Sequence, residues 1–239
     1  METVHEWHAR NDEDGSLPPG TLASLNGTIR NILISKTKDV DSLHGKIERV
    51  FYVNPYGNEV HLSANPKVLN ALRATDVLIY SIGSLFTRYP LANLKPSNES
   101  IIPCLIPKGI AAAITDTTKY KILLLNNSHD RETTGFTSAT DYIQAILTAC
   151  HDSLSSVPAP KDEPWTKYVT HLVYLRGCGI QVDVPELKAR GIECVGIWPA
   201  RDGMYYDSSV LERTLIGICS GRGGGLQRRA TVQNWPIRP

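Results

Sequence analysis

Short apolar runs rich in β-branched and aromatic residues alternate along this chain with stretches whose apolar residues recur every three or four positions. The first pattern suits strands and the second amphipathic helices, so the alternation predicts an α/β protein built from parallel βαβ units. Residues 49–53 read as one strand, closed by the turn formers Asn54-Pro55-Tyr56-Gly57. Asn65 as a capping side chain and Pro66 at the first helical position open a helix over 67–73, with Val68, Leu69 and Leu72 on one face. Residues 76–81 are nearly continuous in apolar side chains, as in a central parallel strand covered on both faces. A helix over 110–114 and a strand over 121–125 come next, the strand breaking at Asn126-Asn127.

Tyr142, Ile143, Ile146, Leu147 and Cys150 form one stripe of an amphipathic helix over 138–150. The stretch 151–164, with Ser155-Ser156-Val157-Pro158-Ala159-Pro160, predicts a connection that no helix crosses. Beyond it the pattern gives a strand over 169–175, a helix over 184–190 ended by Gly191, a strand over 194–198 and a closing helix over 210–219. Residues 1–26 and 221–239 lack apolar periodicity and read as a flexible arm and a flexible basic tail around one domain, 27–220.

Composition changes this picture only by exclusion. With 41% hydrophobic residues among 239, the chain has material for a sizeable core. Twenty-five basic against 24 acidic residues leave a net charge of +1, which offers no field to attract nucleic acid or an anionic membrane. Five scattered cysteines form no zinc or dithiol spacing and fit a reducing, cytoplasmic setting. No apolar stretch approaches the ~20 residues that span a bilayer.

In an open parallel sheet, ligands lie outside the carboxyl ends of the strands, so the loops there are where chemistry is sought. After the strand 76–81 comes Gly83-Ser84-Leu85-Phe86-Thr87: Gly83 lets backbone approach a ligand, and Ser84 and Thr87 add hydroxyls. A glycine that merely permits a tight strand exit accounts for the same residues. The second loop, from Asn126 to Gly135, is unusually dense in polar side chains; it suits recognition of a polar ligand or, equally, a turn with a helix start at Thr133 or Thr134. His129 beside Asp130 reads as a solvated histidine rather than an acid–base pair. In Trp198-Pro199-Ala200-Arg201-Asp202-Gly203, Arg201 would suit a phosphate or carboxylate, but Pro199 and Asp202-Gly203 explain a plain surface turn. His5 and His8 have no carboxylate at a metal-binding spacing, and Arg222-Gly223-Gly224-Gly225 is no Walker loop because no Gly-Lys-Ser/Thr ends it.

Taken together, residues 76–87 and the segment Arg131-Glu132-Thr133-Thr134-Gly135-Phe136 with Ala139-Thr140-Asp141-Tyr142 resemble the CofD-like family, in wording closest to its fungal members. That family holds phospholactate transferases of deazaflavin coenzyme synthesis and YvcK-type gluconeogenesis factors that bind a UDP-sugar. The resemblance runs from about residue 47 to 219. It implies a Rossmann-like three-layer sandwich with a mostly parallel sheet, often as a homodimer. Residue by residue, Gly83, Ser84 and Thr87 match the family's Gly-Ser-Leu-Tyr-Thr ligand loop, and Glu132, Thr133 and Gly135 match its Gly-Glu-Thr-x-Gly-Tyr segment. Asn126 corresponds to its strand-end asparagine, Asp141 to an acidic position early in the next helix, and Tyr142 stands where bacterial members often carry histidine.

Two departures accompany the match. Residues 88–99 separate Thr87 from Ser100-Ile101-Ile102-Pro103, which adjoins that loop directly in the family, and lie where they could displace Ser100. The Gly-Gly-Gly-Thr-Gly turn and Asp-Asp-Gly-Gly-Ser stretch of family members do not occur, so the sheet is expected to be incomplete at its N-terminal side, with an apolar edge exposed. The resemblance implies a nucleotide or nucleotide-sugar ligand, bound by Gly83, Ser84, Thr87, Ser100, Asn126, Glu132, Thr133, Gly135 and Asp141. The leading expectation is a gluconeogenesis-factor-type regulatory protein. The alternatives are a 2-phospho-L-lactate transferase-like enzyme, with Mg²⁺ if catalytic, and a truncated chain that binds nothing.

Overall fold

The structure is a computed structural model that describes residues 45–81, 83–86, 100–117, 119–130, 132–154, 163–200 and 205–221. The arm, Thr87, the segment 88–99, Arg131, residues 155–162, Arg201 and the tail from 222 lie outside the described residues. Four parallel strands form the sheet in sequential order: β3 (Val77–Tyr80), β4 (Tyr120–Leu124), β5 (His171–Leu175) and β6 (Glu193–Ile197). The register pairs Tyr80 with Leu123, Leu123 with Leu172, and Leu172 with Cys194, so all four strands end on the same side.

Side-chain alternation along the strands sorts the core into two layers. Leu123, Leu125 and Leu172 face a large cluster with Ile114, Ile143, Ile146, Leu147 and Leu187, contributed by the helices α3 (Ile110–Thr117), α4 (Ala139–Leu154) and α5 (Val184–Ala189). Ile122, Leu124, Val173, Leu175 and Ile197 face a smaller cluster under α6 (Ser208–Cys219). Helices on both faces of a parallel sheet make the expected α/β, Rossmann-like sandwich. The helix starts coincide with their capping side chains. Asn65 Oδ1 accepts from the Lys67 amide at 2.9 Å ahead of α1 (Pro66–Arg73), and Asp183 Oδ1 accepts from the Glu186 amide at 3.0 Å ahead of α5.

Several sequence expectations need correction. The strand over 49–53 shrinks to β1 (Tyr52–Val53), which pairs antiparallel with β2 (Glu59–Val60) outside the main sheet. The intervening turn decides this: Asn54 Oδ1 accepts from the Tyr56 and Asn58 amides, and Gly57 takes φ 82°, so the chain doubles back locally instead of crossing over. The strand expected at the centre, β3, lies at the margin of the sheet among the described residues, and Ile79 remains 39% exposed. Its apolar run reports two apolar faces and says nothing of what pairs along its outer edge. Helix α4 runs on to Leu154 because nothing breaks it before Pro158; Ser153 Oγ donates to the Pro107 carbonyl at 2.8 Å in its last turn. The short helix α2 (Ile101–Leu105) carries Pro103 and so gives no helical signal in sequence, yet proline is tolerated in a first turn whose amides have no helical partner.

Ile143 is fully buried in the main cluster under β4 and β5. Ile143→Ala is expected to cost about 2–5 kcal/mol, as for other buried aliphatic truncations. Urea denaturation would show this as a lower midpoint with the slope unchanged.

Candidate functional site

The parallel β3–β4 pair brings two loops together that lie more than forty residues apart in sequence. Leaving β3, the chain passes Gly83 and Ser84 and buries Leu85 and Phe86, which fixes the loop against the core. Leaving β4, it passes Asn126 and turns through Asp130 and Thr133. There the Ser84 hydroxyl donates to Glu132 Oε2 at 3.0 Å and lies 3.4 Å from Asp130 Oδ2. Asn126 Nδ2 reaches the Gly83 carbonyl at 3.5 Å.

Asp130 shapes the second loop. Its Oδ1 accepts from the Glu132 and Thr133 amides at 3.0 and 2.9 Å and from the Thr133 hydroxyl at 2.8 Å, an Asx turn that leaves Oδ2 directed at Ser84. Thr133 is buried, and its oxygen also accepts from the Asp130 amide at 2.9 Å and from the Tyr142 hydroxyl at 3.0 Å. The Tyr142 hydroxyl lies 3.1 Å from His129 Nδ1, and the two rings stack with centroids 5.9 Å apart. Burial pushes the Tyr142 phenol up to about 12, with the neighbouring Asp130 and Asp141 adding to the effect of burial and the Thr133 contact opposing it. It therefore stays protonated, and a donor, throughout the physiological range.

The structure thus gathers Gly83, Ser84, Asn126, Glu132 and Thr133 at one place. Ser100 joins them: the Ile101 amide donates to the Ser84 carbonyl at 3.2 Å and the Ile102 amide to the Leu85 carbonyl at 2.9 Å. Ser100 thus stays beside the Ser84 loop, because α2 is tied directly to that loop. Gly83 and Ser100 share the wall of an apolar groove of about 310 Å³ that runs along β3 past Leu78 and Ile101.

Gly135 and Asp141 have different surroundings. A Cβ on Gly135 would meet the Lys46 backbone at 3.3 Å, so this glycine permits a close chain crossing. Asp141 Oδ2 accepts from the Thr137 amide and hydroxyl and from the Ser138 amide ahead of α4, while Oδ1 pairs with Lys46. It faces a second, larger groove of about 560 Å³ walled by residues 45–50, Phe86 and Phe136. Two participants are missed by sequence reasoning, Asp130 and the His129–Tyr142 pair. An aspartate three residues before a threonine is a local capping signal that singles out Asp130; nothing in the sequence places His129 against Tyr142.

Polar side chains meeting at the carboxyl ends of adjacent parallel strands define a Rossmann-like α/β protein with its candidate site at the strand tips. The chain matches, over residues 20–195, the family described as 2-phospho-L-lactate transferase CofD, and it belongs to that family. It is 29% identical over 191 residues to YNL011C of Saccharomyces cerevisiae, an uncharacterised protein, covering 77% of this chain and 39% of that one. To the gluconeogenesis factor of Halalkalibacterium halodurans it is 35% identical over 83 residues, 34% of this chain and 22% of that one. The matches thus span well under half the length of either relative. Two crystal structures of the UPF0052-family protein BH3568 of Bacillus halodurans align with TM-scores of 0.47 and 0.48 at 20% identity, covering 64% of this chain and 46% and 47% of those chains.

Asp141 gives a pH signature that is independent of any ligand. Burial pushes its carboxyl up, but Lys46, the Thr137 amide and hydroxyl and the Ser138 amide outweigh burial and hold it at about 2 against the usual 3.8. A depressed carboxylate contributes stability above its unfolded value and loses it as pH falls toward the folded one. Urea titrations are expected to show Asp141→Asn closing the gap to the unsubstituted protein between pH 4 and pH 2, with the parent more stable at pH 6.

Proposed function

We propose that this CofD-family chain binds a nucleotide-diphosphate ligand, a UDP-sugar or similar, across the tips of β3 and β4, and that it does so as a regulatory protein of the gluconeogenesis-factor type. The observation that carries the reading is the hydrogen bond from Ser84 to Glu132, which makes one polar site of the two loops that match the family. Similarity to a gluconeogenesis factor supports the regulatory role.

The chemistry divides between the loops. Backbone around Gly83 and the hydroxyls of Ser84 and Ser100 suit phosphate oxygens, with Thr87 assigned to the same task from sequence. Asp130 and Glu132 accept hydrogen bonds only, so they suit the hydroxyl groups of a ribose or sugar, and Asn126 offers both a donor and an acceptor. Gly135 and Asp141 support the site through the chain crossing and the start of α4. Two carboxylates beside a diphosphate repel it unless a cation intervenes. Asp130 Oδ2 and Glu132 Oε2, both directed at Ser84 Oγ, are hard oxygen donors of the kind Mg²⁺ accepts together with ligand phosphates. When bound there, Mg²⁺ would neutralise the diphosphate charge.

The second reading, a transferase, is favoured by the description of the matching family. An acceptor alcohol oxygen would bond to the distal phosphorus of a diphosphate-linked donor as the bridging P–O bond breaks, releasing a nucleoside monophosphate. The alcohol proton would pass to a carboxylate such as Glu132.

A thermal-shift panel of UDP-sugars, GDP and NAD with Mg²⁺ tests the binding reading. At a ligand concentration a hundredfold above Kd, stabilisation of about 2.7 kcal/mol is expected. Ser84→Ala and Glu132→Gln should each remove most of that shift without lowering the melting temperature of the ligand-free protein by more than a few degrees. A panel that leaves the melting temperature unmoved defeats the reading. Chromatography of the bound nucleotide separates the two roles: recovery intact supports regulation, and release of monophosphate on adding an alcohol acceptor supports transfer.

A further inference from the structure

The loops after β5 and β6 lie at the same end of the sheet as the site at β3 and β4, and they carry side chains that the site does not use. Trp198, directly after β6, is 69% exposed, and Tyr205 is 65% exposed. The Arg176 guanidinium lies over the Trp198 ring, 5.3 Å from its centroid. Two contacts fix this arginine, a hydrogen bond from Nε to the Gly196 carbonyl at 2.9 Å and one from its amide to the Ile197 carbonyl at 2.8 Å. An exposed ring with a guanidinium tethered over it presents a flat surface of the kind that planar groups stack on.

Hydrogen bonds tie these loops to the one that carries the strand-tip site. The Ala200 amide donates to the Tyr205 carbonyl at 2.9 Å, bringing Tyr205 back beside Pro199 and Ala200. The next residue, Tyr206, places its hydroxyl 2.6 Å from the Leu125 carbonyl and 3.1 Å from the Val173 carbonyl, at the ends of β4 and β5. Leu125 immediately precedes Asn126. The loop after β5 is tied in as well, since the Gly179 amide donates to the Asn127 carbonyl at 2.7 Å. From β4 to β6 is two strand spacings, about 10 Å. A lone phosphate cannot bridge that distance, and an extended nucleotide can.

We infer that Trp198, with Arg176 and Tyr205, is the stacking seat for the planar base of the ligand, whose diphosphate and sugar lie toward Ser84 and Glu132. This inference rests on the nucleotide-binding reading and adds where the base sits. Stacking uses the ring face that every base presents, so this seat selects for a nucleotide over a sugar phosphate without choosing strongly among bases. Trp198 lies beyond the residues 20–195 that match the family.

Isothermal titration of GDP, UDP and inorganic pyrophosphate with the full chain and its Trp198→Ala, Trp198→Phe and Arg176→Gln variants tests it. Trp198→Ala is expected to weaken both nucleotides by about tenfold or more, the usual effect of removing a stacking ring. Trp198→Phe should recover most of the loss, Arg176→Gln should fall between, and any pyrophosphate affinity should stay unchanged. Nucleotide addition should also quench tryptophan fluorescence in the parent and not in Trp198→Phe, where the other three tryptophans remain. Unaltered GDP and UDP affinities in Trp198→Ala, or an equal loss for pyrophosphate, overturn the seat while leaving the strand-tip site standing. A parent chain that binds neither nucleotide overturns both.

Discussion

Everything distinctive about this molecule depends on parallel pairing between β3 and β4. Because Tyr80 and Leu123 share a register position, the two strands end at the same level and their exit loops meet. A hydroxyl and two carboxylates, far apart in the chain, then share one small volume. An antiparallel pairing of the same strands would send the loops to opposite ends of the sheet. The core beneath holds this register: Leu123, Leu125 and Leu172 on one face and Ile122, Leu124 and Val173 on the other are buried between helices. A slip of one residue would turn each of these side chains to the opposite layer.

How much of this is legible in the sequence depends on the range of the forces involved. The helix start at Asn65 and the stripe from Tyr142 to Cys150 are local, and they read directly. Where two local signals compete, composition is the weaker guide: Asn54 and Gly57 fold the chain back into a hairpin although residues 49–53 have strand composition. Pairing order is non-local, so the apolar run of β3 announces a strand without announcing its position in the sheet. The end of α4 reads too early because polar residues from His151 onward resemble a connection. The contact of Ser153 with Pro107, formed across 46 residues, has no sequence signature.

The site divides in the same way. Family wording locates both loops, and the structure brings Ser84, Asn126, Glu132, Thr133 and Ser100 within one neighbourhood. It also separates residues that a motif groups together. Glu132 faces Ser84, while Gly135, three positions on, faces the segment at Lys46, and Asp141 is occupied with the start of α4. Asp130, in sequence only half of an unpromising His129–Asp130 neighbour pair, organises the loop through backbone amides. Side chains that hold a loop in shape are hard to see in a sequence, because their partners are peptide groups that every residue carries.

Gly135 illustrates the cost of such a division of labour. Its missing side chain lets two backbones cross so closely that any methyl group would push them apart by a few tenths of an ångström. The crossing forms part of the seam between the segment at residues 45–50 and α4, and that seam borders the larger groove. A motif glycine of this kind records the tolerance of a joint. Its replacement would first loosen the fit of one surface segment, and only through that strain reach the chemistry a few residues away.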